Sequence, residues 1–418
     1  VLSGKAFEAT TMILSFVVFC ASYGLIVWKD KSWINWATPA FFFSLGGHYL
    51  FQFAYLCLNY PAGSHYAYAF CYLTYALTAL AGALVYTFIQ PLRLKVGSVS
   101  TSAHETGFWP WVFLSIAFVL YLPILIPFRA YLAQPRHIYE LTRNGYGVWF
   151  FCSTFFSNLA LITFLFGHRR SRLTGILFVS VMILLTFWHG SKGLFLDCAL
   201  IWVLYRVYVR RQVIGAGLAI LLAGTLGGLV LGSFFLFSSP ENIVELLTSV
   251  TSYADYVRNA MVVIDDAQGK RYYGRLLLGE AMYLRIPRVL MPDKPKDFGP
   301  FLLAEIYSPA NSRAAAGTVA FDVGVQYADF GPFACLYLCI LAAGTAWSVS
   351  IAVTYLKRSP TVGGFLIVLY LSGVNIFPVS APFFLFDMLL IATVISLVMR
   401  FRLLRSSRAL SLSALPNV

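Results

Sequence analysis

Charge is scarce in this sequence. Of its 418 residues only 11% are charged, while 59% are hydrophobic and the mean hydropathy is +0.76. So few polar side chains cannot cover the core of a water-soluble domain of this length. Strict alternation of apolar and polar residues is also missing, which argues against barrel strands. The seven cysteines all fall in apolar runs and lack metal-ligand spacing, so neither a disulfide framework nor a thiolate metal site is expected. The first apolar run, Thr10–Trp28, is too long and lacks the basic flank of a cleavable leader.

What is present is a series of apolar runs of helix length. Helices satisfy their own backbone in hydrocarbon. The expected spans are Thr10–Trp28, Trp36–Leu58, Tyr66–Ile89, Phe108–Pro127, Tyr146–Phe166, Leu173–Trp188, Gly193–Val209, Val213–Phe237, Pro332–Leu356, Val362–Phe377 and Pro382–Val398. The fold expected is an all-α, polytopic transmembrane bundle of about eleven helices. The chain starts at Val1, and a preceding helix would make twelve. It divides into transmembrane helices over 1–237 with a short external loop at 128–145, a long helical loop over 238–331, and C-terminal helices with a basic tail over 332–418.

Basic residues set the orientation. One side carries Lys29, Lys31, Arg93, Lys95, Arg169, Arg170, Arg172, Arg206, Arg210, Arg211, Lys357, Arg358 and the tail arginines, 16 in all, against two acids. The other carries 14 basic and 13 acidic residues. The first side is expected to be cytoplasmic, with the C-terminus on it. The net charge of +13 is mostly this topology signal, and nucleic acid is not an expected partner.

Polar groups gather on the outer side. Loop 128–145 holds Arg129, Arg136, His137, Glu140 and Arg143. Segment Ser238–Gly331 holds 11 of the 17 acids and 9 of the 30 basic residues, and a loop so long should carry helices. Ser239-Pro240-Glu241 has the order of a helix start, and that helix is expected to run to about Ile264, with Asp255 and Arg258 three apart on one face. Tyr272–Met291 reads as an interfacial helix bearing Arg275, Arg285 and Arg288. Between Lys270 and Lys296 stand seven basic residues against two acids. For any single arginine the alternative is surface charge on a long loop that ignores the bias. The cluster as a whole is better read as an anion site, because guanidinium groups stay charged and fit phosphate oxygens.

Ile286–Gly299 (IPRVLMPDKPKDFG) and Gly317–Phe333 (GTVAFDVGVQYADFGPF) resemble the O-antigen polymerase family, the Wzy-type polymerases of oligosaccharide repeat units. The turn His189–Gly193 (HGSKG) resembles a Gly-Ser-Arg/Lys-Gly turn of the same family. The likeness covers roughly Trp188–Trp347. Some members carry an arginine and a glycine separated by ten residues in two external loops, and Arg136/Gly147 and Arg288/Gly299 match that spacing here. The resemblance implies a GT-C-like membrane glycosyltransferase of the bacterial inner membrane, facing the periplasm. Its substrates would be undecaprenyl-pyrophosphate-linked glycans, and a chain-length regulator protein would be a partner.

In such a reaction negative charge grows on the departing lipid pyrophosphate. Fixed cations there stabilise the transition state. Arg288 and Arg136 are the first candidates, followed by Arg129, Arg258, Arg275, Arg285 and Lys294, with ion pairs to Asp255, Asp265 or Glu280 as the structural alternative. The acceptor hydroxyl needs a base, from His137, Glu140, Glu280 or Asp322. Tyr327 is a candidate to stack on a sugar. Lys192 either contacts substrate or pairs with Asp197 to hold the turn. No cofactor is expected, and no metal, since the early outer loop Asn59–His65 lacks carboxylates. An O-antigen ligase is the nearest rival, disfavoured because Ser238–Gly331 contains no histidine. A transporter or flippase would show internal repeats, and none is convincing.

Overall fold

The computed structural model describes residues 2–57, 63–91, 108–142, 145–167, 171–238, 245, 255–266, 271–286, 291–295, 297–309 and 319–374. Every regular element among them is a helix. In order these are α1 (Leu2–Asp30), α2 (Thr38–Ser44), a π-helical turn (Leu45–Leu50), α3 (Phe51–Cys57), α4 (His65–Phe88) and α5 (Trp109–Leu125). Then come α6 (Pro135–Thr142), α7 (Gly147–Phe166), α8 (Arg172–Trp188), α9 (Lys192–Tyr208) and α10 (Ala216–Ser238). The last group is α11 (Tyr256–Asp266), α12 (Arg275–Arg285), α13 (Pro300–Tyr307), α14 (Val323–Phe330), α15 (Ala334–Arg358) and α16 (Val362–Leu371).

A helix stands at each of the first ten expected spans, and the eleventh, Pro382–Val398, lies outside the described residues. Four described stretches are long and apolar enough to cross a membrane: Lys5–Asp30, His65–Phe88, Gly147–Phe166 and Val323–Arg358. α5, α8, α16 and the first part of α10 are apolar but shorter. The helices expose apolar side chains that water would not tolerate in such density, such as Ile13, Leu14 and Val17 on α1, Leu173 and Ile176 on α8, and Leu336 and Ile340 on α15. Hydrocarbon is the solvent for that surface, and the chain is a multi-pass membrane protein.

α4 packs between α1 and α15, and α5 packs along α7. Two apolar clusters lie along α4. One joins Phe19, Tyr49, Cys71, Tyr72, Val257, Met261, Tyr327 and Ala334. The other, toward the opposite end, joins Ile26, Tyr86, Leu204, Tyr208, Val353 and Leu356. A third unites α5, α7 and α8 through Tyr121, Ala160 and Phe178.

The structure refines two expectations. The expected helix Tyr272–Met291 is α12, which is shorter. It starts after Gly274, in left-handed backbone at φ 81, and Ile286 leaves helical geometry at φ −94, ψ 112. Ile286 precedes Pro287, and a residue before proline is pushed out of the helical region. Leu276 and Leu277 are buried, whereas Leu278 and Met282, four apart, present an exposed apolar edge. The apolar stretch expected to begin at Pro332 begins instead at Val323. Gly331 at φ 61 and Pro332 then split it into α14 and α15.

Candidate functional site

The second expected span is a helix broken by the π turn Leu45–Leu50, which carries His48. Such turns insert an extra residue and often mark functional positions. Gly47 in this turn lets α11 approach, since a Cβ there would lie 3.2 Å from the Tyr256 ring. His48 is buried. Its ring stacks on Tyr75 of α4 at 4.2 Å, and Nε2 lies 3.0 Å from Asp322 Oδ2. The Tyr75 hydroxyl donates to the same carboxylate oxygen. Both ring nitrogens of His48 are buried without a hydrogen bond among the described residues, so the Nε2–Asp322 approach is a charge contact.

Asp322 is the residue just before α14, with φ 42, a left-handed backbone rarely held by a side chain other than Gly or Asn. Backbone strain of this kind costs on the order of 1–3 kcal/mol and collects at functional positions. Burial alone would raise the Asp322 carboxyl, but the close approach of His48 and the hydrogen bond from Tyr75 outweigh it and hold the group below the usual carboxylate range. Asp322 is therefore ionised at neutral pH, and its side chain remains 28% exposed. Tyr75 lies ten residues, or about 15 Å, from the start of α4. Ala334, which opens α15, packs in the same cluster as Cys71, so the site lies at the level where α15 begins.

Residues of segment 238–331 gather around the first turns of α4. Tyr55 donates to Asp255 Oδ1 at 2.7 Å, Asp255 pairs with Arg258 at 3.6 Å, and Arg258 covers the Tyr55 ring at 4.8 Å. Asp265 accepts from the Ser64 amide at 2.8 Å and from its hydroxyl. The stretch Asn59–His65 has no carboxylate of its own, yet the fold delivers Asp265 to Ser64. Tyr66 and Tyr327 share a hydrogen bond of 3.1 Å, with Arg271 over the Tyr327 ring at 4.9 Å. Both oxygens of buried Asp329 accept from the first amides of α12, Leu276 at 3.1 Å and Leu277 at 3.0 Å. That cap fixes the start of the helix bearing Arg275, whose side chain is exposed.

Loop 128–145 belongs to a different neighbourhood. Arg129 is exposed in a 3₁₀ turn, Arg129–Tyr131. On α6, Arg136 donates to Glu140 Oε1 at 3.0 Å, one turn away, and covers the Tyr139 ring at 5.0 Å. α6 rests on the α8–α9 turn. Gly190 there has φ 62, and a Cβ on it would run into the Pro135 carbonyl. His189 beside it is buried. One ring nitrogen contacts Ser153 Oγ at 3.0 Å, and the other contacts the Leu185 carbonyl at 2.7 Å. Burial pushes His189 down to about 4, against the Leu185 hydrogen bond, so the ring is neutral.

The structure thus sets Asp322 at the head of α14 against Tyr75 and Tyr327 further along the same helix against Tyr66, with Arg258 on the neighbouring α11, and ties Arg136 to Glu140 elsewhere. The Arg258–Asp255 pair is the structural alternative foreseen for that arginine. Lys294 donates to the Ile286 carbonyl at 3.1 Å and lies over Phe298 at 5.1 Å. Arg288 lies outside the described residues, as do the side chains of Arg285 and Lys192. Gly299, spaced from Arg288, has φ 55, and a Cβ on it would meet Glu280 Cβ at 2.8 Å. That glycine is required by packing of α13 on α12. His48, Tyr75 and Asp329 were missed by sequence reasoning. An ionisable side chain beside Gly46-Gly47 inside an apolar span was the available signal for His48.

Comparison with known proteins finds O-antigen polymerases of Salmonella typhimurium and Salmonella typhi, each 29% identical over 410 residues, spanning 95% of this chain and 100% of the relative. No family model matches, and no solved structure matches. The likeness first read from two short segments therefore runs along nearly the whole chain.

Proposed function

We infer that this chain, which stands with the O-antigen polymerases, joins lipid-linked oligosaccharide repeat units into O-antigen in the membrane. The full-length likeness to two such polymerases carries that reading. In finer detail, the donor is a glycan on undecaprenyl pyrophosphate and the reaction is a GT-C-type glycosyl transfer. It occurs on the periplasmic face of the inner membrane, with the basic C-terminal tail in the cytoplasm and segment 238–331 as the periplasmic loop.

Asp322 is the base. It is ionised, part-exposed and held by two fixed partners at a strained backbone position. The acceptor hydroxyl loses its proton to the Asp322 carboxylate as the new glycosidic bond forms. His48 and Tyr75 position that carboxylate. The bond from the donor sugar to pyrophosphate breaks, and the electron pair leaves with the lipid. Arg258, on the helix packed against α14, and Arg288, in the segment that carries the family likeness, neutralise the growing charge, whereas Arg136 is tied to Glu140 in a different neighbourhood. Glu140 already accepts from Arg136 and is exposed, which suits a partner of that arginine better than a base. We take the reaction to need no metal, because arginine side chains stay charged and can supply the positive charge.

The ligase reading loses one of its objections here, since His48 brings an imidazole to a loop that has none of its own. The names of both relatives favour the polymerase. The test is polymer-ladder formation by purified protein from lipid pyrophosphate-linked repeat units, with and without chelator. Ladders that survive chelation and are lost in Asp322→Asn support the reading. Undiminished ladders from Asp322→Asn remove Asp322 as base, and a requirement for divalent cation removes the metal-free mechanism.

A further inference from the structure

At the opposite end of α4 the fold builds a second polar site. Asp30, the last residue of α1, has a side chain only 2% exposed. Tyr86 donates to its Oδ1 and Tyr208 to its Oδ2, each at 2.8 Å. The Tyr208 hydroxyl also accepts from the Trp36 amide at 2.8 Å. These bonds form a fixed floor. Above it opens a cavity of about 380 Å³, with Arg211, Thr354, Lys357 and Arg358 among its walls. This volume is in the range of small-ligand sites, roughly 300–1,000 Å³.

The charges in this cavity are unbalanced. Three cations face one carboxylate, and both oxygens of that carboxylate are already occupied by tyrosine hydroxyls. Lys357 Nζ stands 3.9 Å from Asp30, with its side chain 46% exposed. The bland explanation is that Lys357 and Arg358 complement the C-terminal dipole of α15 and follow the positive-inside bias. The same bias accounts for the side on which Arg211 stands, but not for its place beside the end of α15. That arginine comes from a different segment, sits in left-handed backbone at φ 55, and donates through its guanidinium to the Lys357 carbonyl. Two chain segments thus converge their cations on one opening, with Val207 and Val213 as apolar walls beside them. The opening lies at the end of the molecule where the Lys/Arg-rich loops gather. Basic pockets between helices at that membrane surface suit phospholipid head groups, and arginine suits their phosphate oxygens.

We propose that this cavity binds the phosphate of an anionic phospholipid of the surrounding leaflet. The same chemistry would accept free phosphate, so the experiment separates the two. Full-length protein is reconstituted in phosphatidylcholine vesicles with and without phosphatidylglycerol, and retained lipid is measured by mass spectrometry after extraction into detergent. The expected result is selective retention of phosphatidylglycerol that millimolar inorganic phosphate does not displace. Retention should weaken about 25-fold in the Arg211→Gln/Arg358→Gln double variant, from about fivefold for each charge. Thr354→Phe, which fills the cavity without touching its charges, should weaken retention as well. It also serves as the deciding variant should the double substitution not fold. Displacement by phosphate would assign the cavity to the free anion and overturn the lipid reading. Equal retention of both lipids, or retention unchanged by Thr354→Phe, would overturn the site.

Discussion

Helix α4 holds a carboxylate at each of two levels through a tyrosine hydroxyl, and the two arrangements differ in one respect that matters. Tyr75 and Tyr86 are eleven residues apart, three helical turns, and so share a face. At the lower level both oxygens of Asp30 are filled by tyrosines and the group is 2% exposed. At the upper level Asp322 is 28% exposed, sits in strained backbone, and leans on a histidine from a π turn. A carboxylate with all its hydrogen bonds made by rigid partners is a structural fixture. One that is charged, strained and reachable is suited to chemistry.

Substitutions can break or sharpen this contrast. Asp322→Asn should lower polymerisation about 10²-fold or more, the usual worth of a general base, as measured by ladder formation in purified protein. His48→Gln should fall between it and wild type, because it removes a positioning partner and leaves the carboxylate. If instead Asp322→Asn unfolds the protein and keeps its activity per folded molecule, both carboxylates are fixtures.

Next in size is a pH effect. His189 is neutral when folded, with its pKa down to about 4 from the ordinary 6.5. The unfolded chain therefore binds a proton first as pH falls below about 6.5, and stability drops until about pH 4. The integrated loss is roughly 3 kcal/mol. Thermal unfolding in detergent between these pH values should show it, and His189→Gln should flatten the slope.

Asp30→Ala should cost about 2–4 kcal/mol of stability, since it strands two buried tyrosine hydroxyls. Unfolding measured against Asp322→Ala tests which level is the fixture, and the larger loss is expected for Asp30. Smallest of all, Glu140→Gln should change stability by about 0.5 kcal/mol or less, as expected for an exposed pair one turn apart on a helix. Its effect on ladder formation should be far below that of Asp322→Asn.

Hydropathy located the helices at the first ten apolar spans, because hydrocarbon demands long apolar runs and nothing local competes with that demand, but it gave no sign of the short helices α6, α13 and α14. The Asp255–Arg258 pair was also readable, being three residues apart on one helix. Contacts across the chain were not. His48 and Asp322 are separated by 274 residues, and no periodicity links them. Asp322 was a candidate only through the likeness of its surrounding segment, and its partner comes from a π turn that spacing rules do not foresee. The Asp329 cap of α12 was hidden for the same reason. Nothing in the sequence singled out Tyr75, Tyr86 and Tyr208, whose hydroxyls hold Asp322 and Asp30.

Gly190 sets a last constraint. Its missing side chain lets the turn between α8 and α9 nest beneath the Pro135 carbonyl, at the first residue of the helix that carries Arg136. The elevation of that guanidinium is thus dictated by membrane helices underneath, not by its own short loop. Bulk added at position 190 would jack the arginine away from its seat without touching any group that meets substrate.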